Sequence, residues 1–198
     1  MKRRRFLFAS ATLPVSFCAP RLFAAAGKVA DAAAIRARWR ELLAPDAEVA
    51  TDPSPLGRAA ADWRGQLPAD SYAVLFEADT EAPLSSPLNL EHRPGVFVCR
   101  ACRLPLFSSE MKYESGTGWP SFFTSIPDHL ATRPDHELSE PRIEYHCVRC
   151  GGHHGHVFDD GPPPTGQRWC SNGVALTFIP LVAVRSRFLM LTKDPQQA

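Results

Sequence analysis

The apolar residues near the start of the chain recur at helical spacing. Four of them share one helix face, at offsets of 0, 4, 7 and 8: Ile35, Trp39, Leu42 and Leu43. Pro45 follows directly and cannot continue a helix, so the pattern predicts an amphipathic helix that ends before it. Apolar residues between Pro68 and Glu77 predict a second, shorter helix.

After residue 90 the pattern changes to short runs of β-branched and aromatic residues separated by Pro, Gly and Ser. Three such runs span residues 95–98, 142–146 and 174–179. Runs of this length between turn residues are typical of antiparallel strands. Most of the 19 prolines lie outside them, as strand hydrogen bonding requires. The sequence therefore predicts short helices followed by an antiparallel sheet system.

Composition narrows the class of protein. The chain has 198 residues, of which 44% are apolar and 22% charged, which excludes disorder throughout and allows a core without disulfides. The net charge of +1 has two unlike parts: residues 1–24 hold five basic and no acidic residues, and the remainder holds 17 basic and 21 acidic residues. Nucleic-acid binding needs clustered Lys and Arg, so we expect none.

The basic N-terminus is followed at once by an apolar run. Residues 2–5 are all basic, residues 6–19 are mostly apolar, and small residues follow at 24–26. This order is typical of an export signal, and the arginines before Phe6 and Leu7 resemble a twin-arginine signal. A membrane span needs about 20 apolar residues, so no stable anchor is predicted. We expect residues 1–26 to direct export to the periplasm; a basic N-terminus of a cytoplasmic protein is the alternative. Residues 27–66 are interpreted as a helical or linker extension.

Four of the six cysteines form two Cys-x-x-Cys pairs. Cys99 and Cys102 make the first pair, and Cys147 and Cys150 make the second after 44 intervening residues. Each pair follows a strand-like run, as in a zinc ribbon, and two facing pairs would form a tetrahedral cage of four sulfurs that suits zinc. Two local disulfides, an iron site or one redox-active pair are the alternatives.

A single thiol remains, because Cys18 falls in the leader. Cys170 is either a buried small residue or a reactive thiol. Arg168 would favour its thiolate, and Asn172 shares its face if the segment is extended. Three histidines follow the second cysteine pair: His153, His154 and His156. Cysteine beside histidine is the arrangement of nucleophilic thiol chemistry.

Several longer blocks resemble the type B methionine sulfoxide reductases, which reduce the R epimer of methionine sulfoxide. The resemblance extends from about Tyr72 to Pro180. It is carried, in chain order, by Thr80–Pro83, Ser85–Leu88, Gly95–Cys99, Ser115–Phe122, Gly155–Pro162 and Arg168–Asn172. Blocks in this order are more specific than any Cys-x-x-Cys pair.

The resemblance implies a fold and a domain division. The fold class is all-β, with two antiparallel sheets and a zinc-ribbon-like site of four cysteines, preceded by one or two short α-helices. The four paired cysteines would hold a structural zinc ion away from the chemistry. Residues 67–190 would form the catalytic domain, and residues 191–198 a flexible tail.

The resemblance also implies residue roles. Cys170 would be the nucleophile that attacks the sulfoxide sulfur. His156 would handle the proton on the sulfoxide oxygen, with His153 and Asn172 in the same polar set. Three residues would bind the substrate: Trp119, Arg168 and Asp160. Of these, Trp119 would pack against the S-methyl group and Asp160 would orient an imidazole.

One departure from the family concerns how the enzyme is regenerated. Many members have a second, resolving cysteine where this chain has Thr117. We therefore expect the Cys170 sulfenic acid to be reduced directly by an external, thioredoxin-like thiol. The expected substrate is methionine sulfoxide in oxidised exported proteins, with the free amino acid as a further substrate. The alternative function is a zinc-ribbon binding module in which Cys170 is inert.

Overall fold

The computed structural model describes residues 31–136 and 141–181. The predicted export signal (1–26), residues 182–190 of the predicted catalytic domain and the predicted tail (191–198) lie outside these residues. Within the described segments, no helix combines the length and apolarity needed to cross a bilayer.

Short helices precede the sheets, as predicted, but the first is interrupted. α1 spans Ala32–Ala37, a 3-10 turn spans Trp39–Leu42, and α2 spans Ala69–Glu77. The break falls at Arg38, whose ψ of 9° leaves the α-helical region. Ile35 and Trp39 on either side of it are nevertheless buried in the core, so the predicted apolar face is correct while the single continuous helix is wrong.

The rest of the described chain forms strands. Their bounds are β1 Gly95–Cys99, β2 Pro105–Ser108, β3 Lys112–Tyr113, β4 Ser121–Phe122, β5 Leu130–Asp135, β6 Arg142–Cys147, β7 His153–Phe158, β8 Arg168–Ser171 and β9 Leu176–Pro180. They pair as two antiparallel sheets with the orders β2-β1-β9 and β3-β4-β8-β7-β6-β5. The predicted all-β class with two antiparallel sheets is confirmed.

Aromatic side chains fill the space between the two sheets. Phe107 of the three-stranded sheet stacks on Phe122 of the six-stranded sheet, with ring centroids 4.0 Å apart. Tyr145 and Trp169, on two strands of the larger sheet, meet edge to face at 5.0 Å. Since side chains alternate along a strand, an inward Trp169 turns Cys170 to the outer face of β8. The core thus determines where the candidate nucleophile lies.

His154 is an exception in this core. Its side chain is fully buried, and neither ring nitrogen has a hydrogen-bond partner among the described residues. The ring lies nearly parallel to that of Tyr145, with centroids 6.4 Å apart. Burial lowers the pKa of His154 to about 4, so the ring is neutral near pH 7. His154 is a core residue, separate from the two histidines of the candidate site.

We expect His154→Leu to stabilise the protein by about 1–3 kcal/mol. Leucine removes two buried nitrogens that lack partners among the described residues. The pKa of His154 is near 6.5 in the unfolded chain and about 4 in the folded protein, so the unfolded chain binds a proton more readily as the pH falls. Wild-type stability should therefore fall by about 1 kcal/mol between pH 8 and pH 6 through this residue alone. Denaturant unfolding of both metal-loaded proteins at the two pH values checks this. An equal pH dependence in the two proteins would contradict it.

Candidate active site and metal centre

Cys170 lies at the centre of the outer face of the larger sheet. On β8 it is directly opposite His156 of β7 and Ser121 of β4. Directly opposed residues point to the same face, so the thiol and the imidazole are neighbours. Both line a cavity of about 130 Å³. The other lining residues are Thr80, Trp119, Arg142, Gly155, Phe158, Ser171 and Asn172.

An irregularity in β7 brings His153 and His156 to the same face. Residues three apart on a regular strand point to opposite faces. Here the pairing of β7 with β6 shifts register between Gly155 and His153, which makes a bulge at His154. The His153 and His156 rings consequently lie 5.3 Å apart. Gly155 makes the close approach to β8 possible, since a Cβ there would lie 1.9 Å from the Cys170 carbonyl oxygen.

Opposing effects act on the Cys170 thiol. Burial raises its pKa, and the positive charge of Arg168 and hydrogen bonds with Thr117 and Arg168 only partly offset this. The group therefore rests as a thiol and needs a base to become a nucleophile. Arg168 is held in place by Asp160, which accepts hydrogen bonds from its Nε at 2.7 Å and its Nη2 at 2.8 Å.

The two imidazoles are oriented by Asp135 and Glu144, whereas the sequence predicted Asp160 for this role. His156 Nε2 lies 2.7 Å from Asp135 Oδ2, and His153 Nδ1 lies 2.9 Å from Glu144 Oε1. Asp160 instead pairs with Arg168. The prediction that Asp160 orients an imidazole is therefore wrong, because the planar guanidinium on the neighbouring strand offers that carboxylate a two-bond partner.

In each imidazole–carboxylate pair, an arginine also donates hydrogen bonds to the carboxylate. Arg142 Nη2 donates to Asp135 Oδ2 at 2.6 Å, and Arg133 donates two hydrogen bonds to Glu144. Burial and the nearby Arg142 charge lower the pKa of His156, although the hydrogen bond to Asp135 raises it. The ring therefore rests neutral at pH 7 and is able to accept a proton.

Sequence reasoning missed Asp135 and Glu144, but a signal was present. Asp135 faces Arg142 across the β5–β6 pair, and Arg133 faces Glu144. Charges of alternating sign that face each other across two antiparallel strands form ion pairs. The signal is hard to see because β5 contains Pro134, and proline disfavours strands other than edge strands such as β5.

Glu81 joins two predicted site residues. Its carbonyl accepts a hydrogen bond from Trp119 Nε1 at 3.2 Å, and its N–H donates to Asn172 Oδ1 at 3.0 Å. Its carboxylate accepts from the N–H groups of Gly173 and Val174 at 2.6 and 2.9 Å. Asn172 also donates to the His154 carbonyl, so it holds the cavity wall in place. Glu81 lies within one of the blocks that carry the family resemblance, but the sequence alone assigns it no role.

The four paired cysteines meet where β1 and β6 end. Their sulfur atoms all lie within 4.8 Å of one another, with Cys99 and Cys150 at 3.6 Å and Cys102 and Cys147 at 3.5 Å. A tetrahedral ion with metal–sulfur bonds of about 2.3 Å needs sulfurs about 3.8 Å apart, so the set fits a bound metal. All five cysteines of the described segments are free thiols, which argues against two local disulfides.

Two antiparallel sheets, four clustered cysteines from two Cys-x-x-Cys pairs and one pocket that holds a cysteine beside a histidine are together the features of an oxidoreductase. The SelR domain family matches residues 67–180. Peptide methionine sulfoxide reductase MsrB of Methanosarcina mazei is 48% identical over 118 residues, which cover 59% of this chain and 84% of that protein. MsrB of Agrobacterium fabrum is 42% identical over 127 residues (64% and 94%), and MsrB of Xylella fastidiosa 46% over 132 residues (66% and 83%). The chain belongs to the MsrB family and is a peptide methionine sulfoxide reductase.

Proposed function

We propose that Cys170 reduces the R epimer of methionine sulfoxide and is itself converted to a sulfenic acid. The observation that carries this proposal is the direct opposition of Cys170 and His156 across β7 and β8 in a cavity walled by Trp119. An indole wall suits the S-methyl group, which leaves the S=O bond toward polar groups. The cavity of about 130 Å³ has room for the end of one methionine side chain.

His156 supplies the proton transfer in this proposal. Its neutral ring takes the proton of the Cys170 thiol, and the sulfur then attacks the sulfoxide sulfur. The imidazolium returns that proton to the sulfoxide oxygen, which is otherwise a poor leaving group. The protonated oxygen then passes from the methionine sulfur to the cysteine sulfur as the bond between the two sulfurs breaks. Cys170 is thereby oxidised by two electrons to a sulfenic acid, and the sulfoxide is reduced to methionine.

An external dithiol closes the cycle. Thr117 occupies the position of the family's resolving cysteine, and its hydroxyl bonds to Ser115 at 2.9 Å. The other cysteines of the described chain are those of the metal centre. A thioredoxin-like protein would therefore attack the sulfenic acid of Cys170 itself, releasing water and forming its own disulfide.

Protein-bound methionine sulfoxide fits the surroundings of the cavity. A second cavity of about 450 Å³ adjoins it and shares Thr80, Arg142 and His156 with it. Two arginines and two carboxylates of the described residues line this second cavity, so it offers both hydrogen-bond donors and acceptors to the backbone of a bound peptide. A free amino acid would use less of this space. If residues 1–26 act as a twin-arginine signal, the enzyme repairs oxidised exported proteins. Cell fractionation of a variant with lysines at positions 3–5 tests the export signal.

The four thiolates favour zinc, which is bound tetrahedrally by sulfur and has no redox chemistry. When bound, the ion would supply a cross-link between the end of β1 and the end of β6, which belong to different sheets. Cys99, Cys102, Cys147 and Cys150 would hold it.

Asp135→Asn should reduce kcat by about 10- to 100-fold, because the amide no longer stabilises a positive His156. The hydrogen bond to Asp135 raises the pKa of His156. Its loss should move the acid limb of the kcat/KM profile to lower pH. Among the described residues, the charged or titratable groups near the ring include Arg142, Glu144, His153 and Cys170. Glu144→Gln, which alters the partner of His153, is the matched variant. A lower rate with an unmoved acid limb would contradict the assignment.

Separate assays of the two sulfoxide epimers test the proposed function. With dithiothreitol as reductant, we expect turnover of a peptide carrying methionine R-sulfoxide and none of the S epimer. Reduction of both epimers at similar rates would contradict the epimer assignment. A binding module with an inert Cys170 would reduce neither.

A further inference from the structure

A stretch of chain ahead of the family match contacts both Cys-x-x-Cys turns, hereafter the first knuckle (residues 99–103) and the second knuckle (residues 147–151). It meets the first knuckle through Arg103. The N–H of Ala50 donates to the carbonyl of Arg103 at 3.0 Å, and Arg103 Nε donates to the carbonyl of Glu48 at 2.6 Å. Arg103 directly follows Cys102. The chain and the first knuckle are therefore joined by a reciprocal pair of hydrogen bonds.

The same stretch goes on to contact the second knuckle in the same way. The N–H of Leu56 donates to the carbonyl of Arg149 at 2.8 Å, and Arg149 Nη1 donates to the carbonyl of Asp52 at 2.5 Å. Arg149 lies between Cys147 and Cys150. Residues 48–56, hereafter the strap, thus span both halves of the cysteine cluster.

Arg103 occupies a backbone position that favours glycine, although its side chain is the one that reaches the strap. The residue after each Cys-x-x-Cys pair donates its N–H back to the first cysteine: Arg103 to Cys99 at 2.9 Å and Gly151 to Cys147 at 2.8 Å. Both residues need a left-handed backbone, with φ of 59° and 75°. Glycine adopts this conformation without cost, whereas a residue with a Cβ does not. The first knuckle has Arg103 at this position, at a cost in backbone conformational energy, and the Arg103 side chain reaches the strap.

Both ends of the strap lead to buried anchors. Before it, Trp39 is buried in the core and packs edge to face on His129 at 5.8 Å. After it, buried Trp63 stacks on Phe76 of α2 at 5.9 Å, and the Arg58 guanidinium lies 4.0 Å above the Trp63 ring. The chain on either side of the strap is therefore anchored in the core.

We propose that the strap slows the loss of the metal by holding the two knuckles together. Each knuckle supplies two of the four sulfurs, so the ion leaves only after one knuckle has moved away from the other. That movement must break the strap's hydrogen bonds with Arg103 or with Arg149. The proposal concerns retention of the ion and is independent of the catalytic role of Cys170.

The test is the rate at which the loaded, full-length protein transfers zinc to a chromophoric chelator. We expect Arg103→Gly combined with Arg149→Ala to release the ion about tenfold faster or more, since both side-chain bonds to the strap are lost. Arg100→Ala is the matched control. It removes an exposed arginine of the first knuckle that has no hydrogen bond to the strap within the described segments.

Arg103→Gly alone separates retention from folding. It relieves the left-handed backbone of Arg103, so a purely conformational view predicts equal or slower release, whereas the strap predicts release about threefold faster or more. This single variant also decides the question if the double variant cannot be loaded. Release within twofold of wild type, or an increase that Arg100→Ala matches, would overturn the proposal. In the second case the lost positive charge would be the cause.

Discussion

Cys170→Ser is expected to lower kcat/KM for methionine R-sulfoxide by about 10³-fold or more. A serine hydroxyl ionises far less readily than a thiol, and its oxygen cannot take up the sulfoxide oxygen as a sulfenic acid does. His156 would still face the position across the strand pair, but it would have no sulfur to activate. Steady-state rates with dithiothreitol on both proteins measure the effect.

This substitution should leave the rest of the molecule unchanged. Cys170 is partly exposed and lies apart from the four clustered cysteines, so metal content and melting temperature should match the wild type. These two measurements are the control. If the Cys170→Ser variant kept more than about a tenth of the wild-type activity, Cys170 would be excluded as the nucleophile. A loss of tenfold or less is far below the contribution of a covalent nucleophile.

Removal of the metal is expected to have the largest effect on stability. Cys99 ends a strand of the smaller sheet and Cys147 ends a strand of the larger one, so the ion would fix the two sheets to each other. Structural zinc contributes about 10–16 kcal/mol in small zinc-finger peptides. This protein also has an aromatic core, so we expect a loss of about 5 kcal/mol and a fall in melting temperature of about 10–20 °C.

Thermal unfolding before and after complete chelation measures this loss, with elemental analysis to verify removal. Adding zinc back to the same sample is the control and should restore the original melting temperature. Cys147→Ser should reproduce the chelated state, since it removes a buried ligand. An unchanged melting temperature after verified removal would show that the four sulfurs have no structural role.

Sequence reasoning was most successful where spacing alone determines geometry. Two Cys-x-x-Cys pairs after strand-like runs predicted the meeting of four sulfurs, and the structure confirms it. The alternation of strand residues placed Asn172 beside Cys170, and both line the same cavity. Periodicity located the buried face around Trp39 but could not show that the helix breaks at Arg38, because residues on both sides of the break keep the same packing.

The remainder depended on long-range contacts that local patterns do not contain. Asp160 could reach either an imidazole or a guanidinium, and only the folded β8 shows that it takes Arg168. Asp135 is brought to His156 by an edge strand, and the proline in that strand makes it hard to predict. The bulge at His154 depends on how β6 and β7 pair, and it decides which of three adjacent histidines enter the site.

The central claim is that Cys170 takes the oxygen of the sulfoxide and that no second cysteine of the chain resolves the product. A single turnover without reductant, followed by mass spectrometry of the intact and digested protein, tests it most directly. We expect about one methionine released per protein and one added oxygen on Cys170 that a sulfenic acid reagent traps. A disulfide joining Cys170 to a knuckle cysteine, or release of methionine with Cys170 unmodified, would contradict the account.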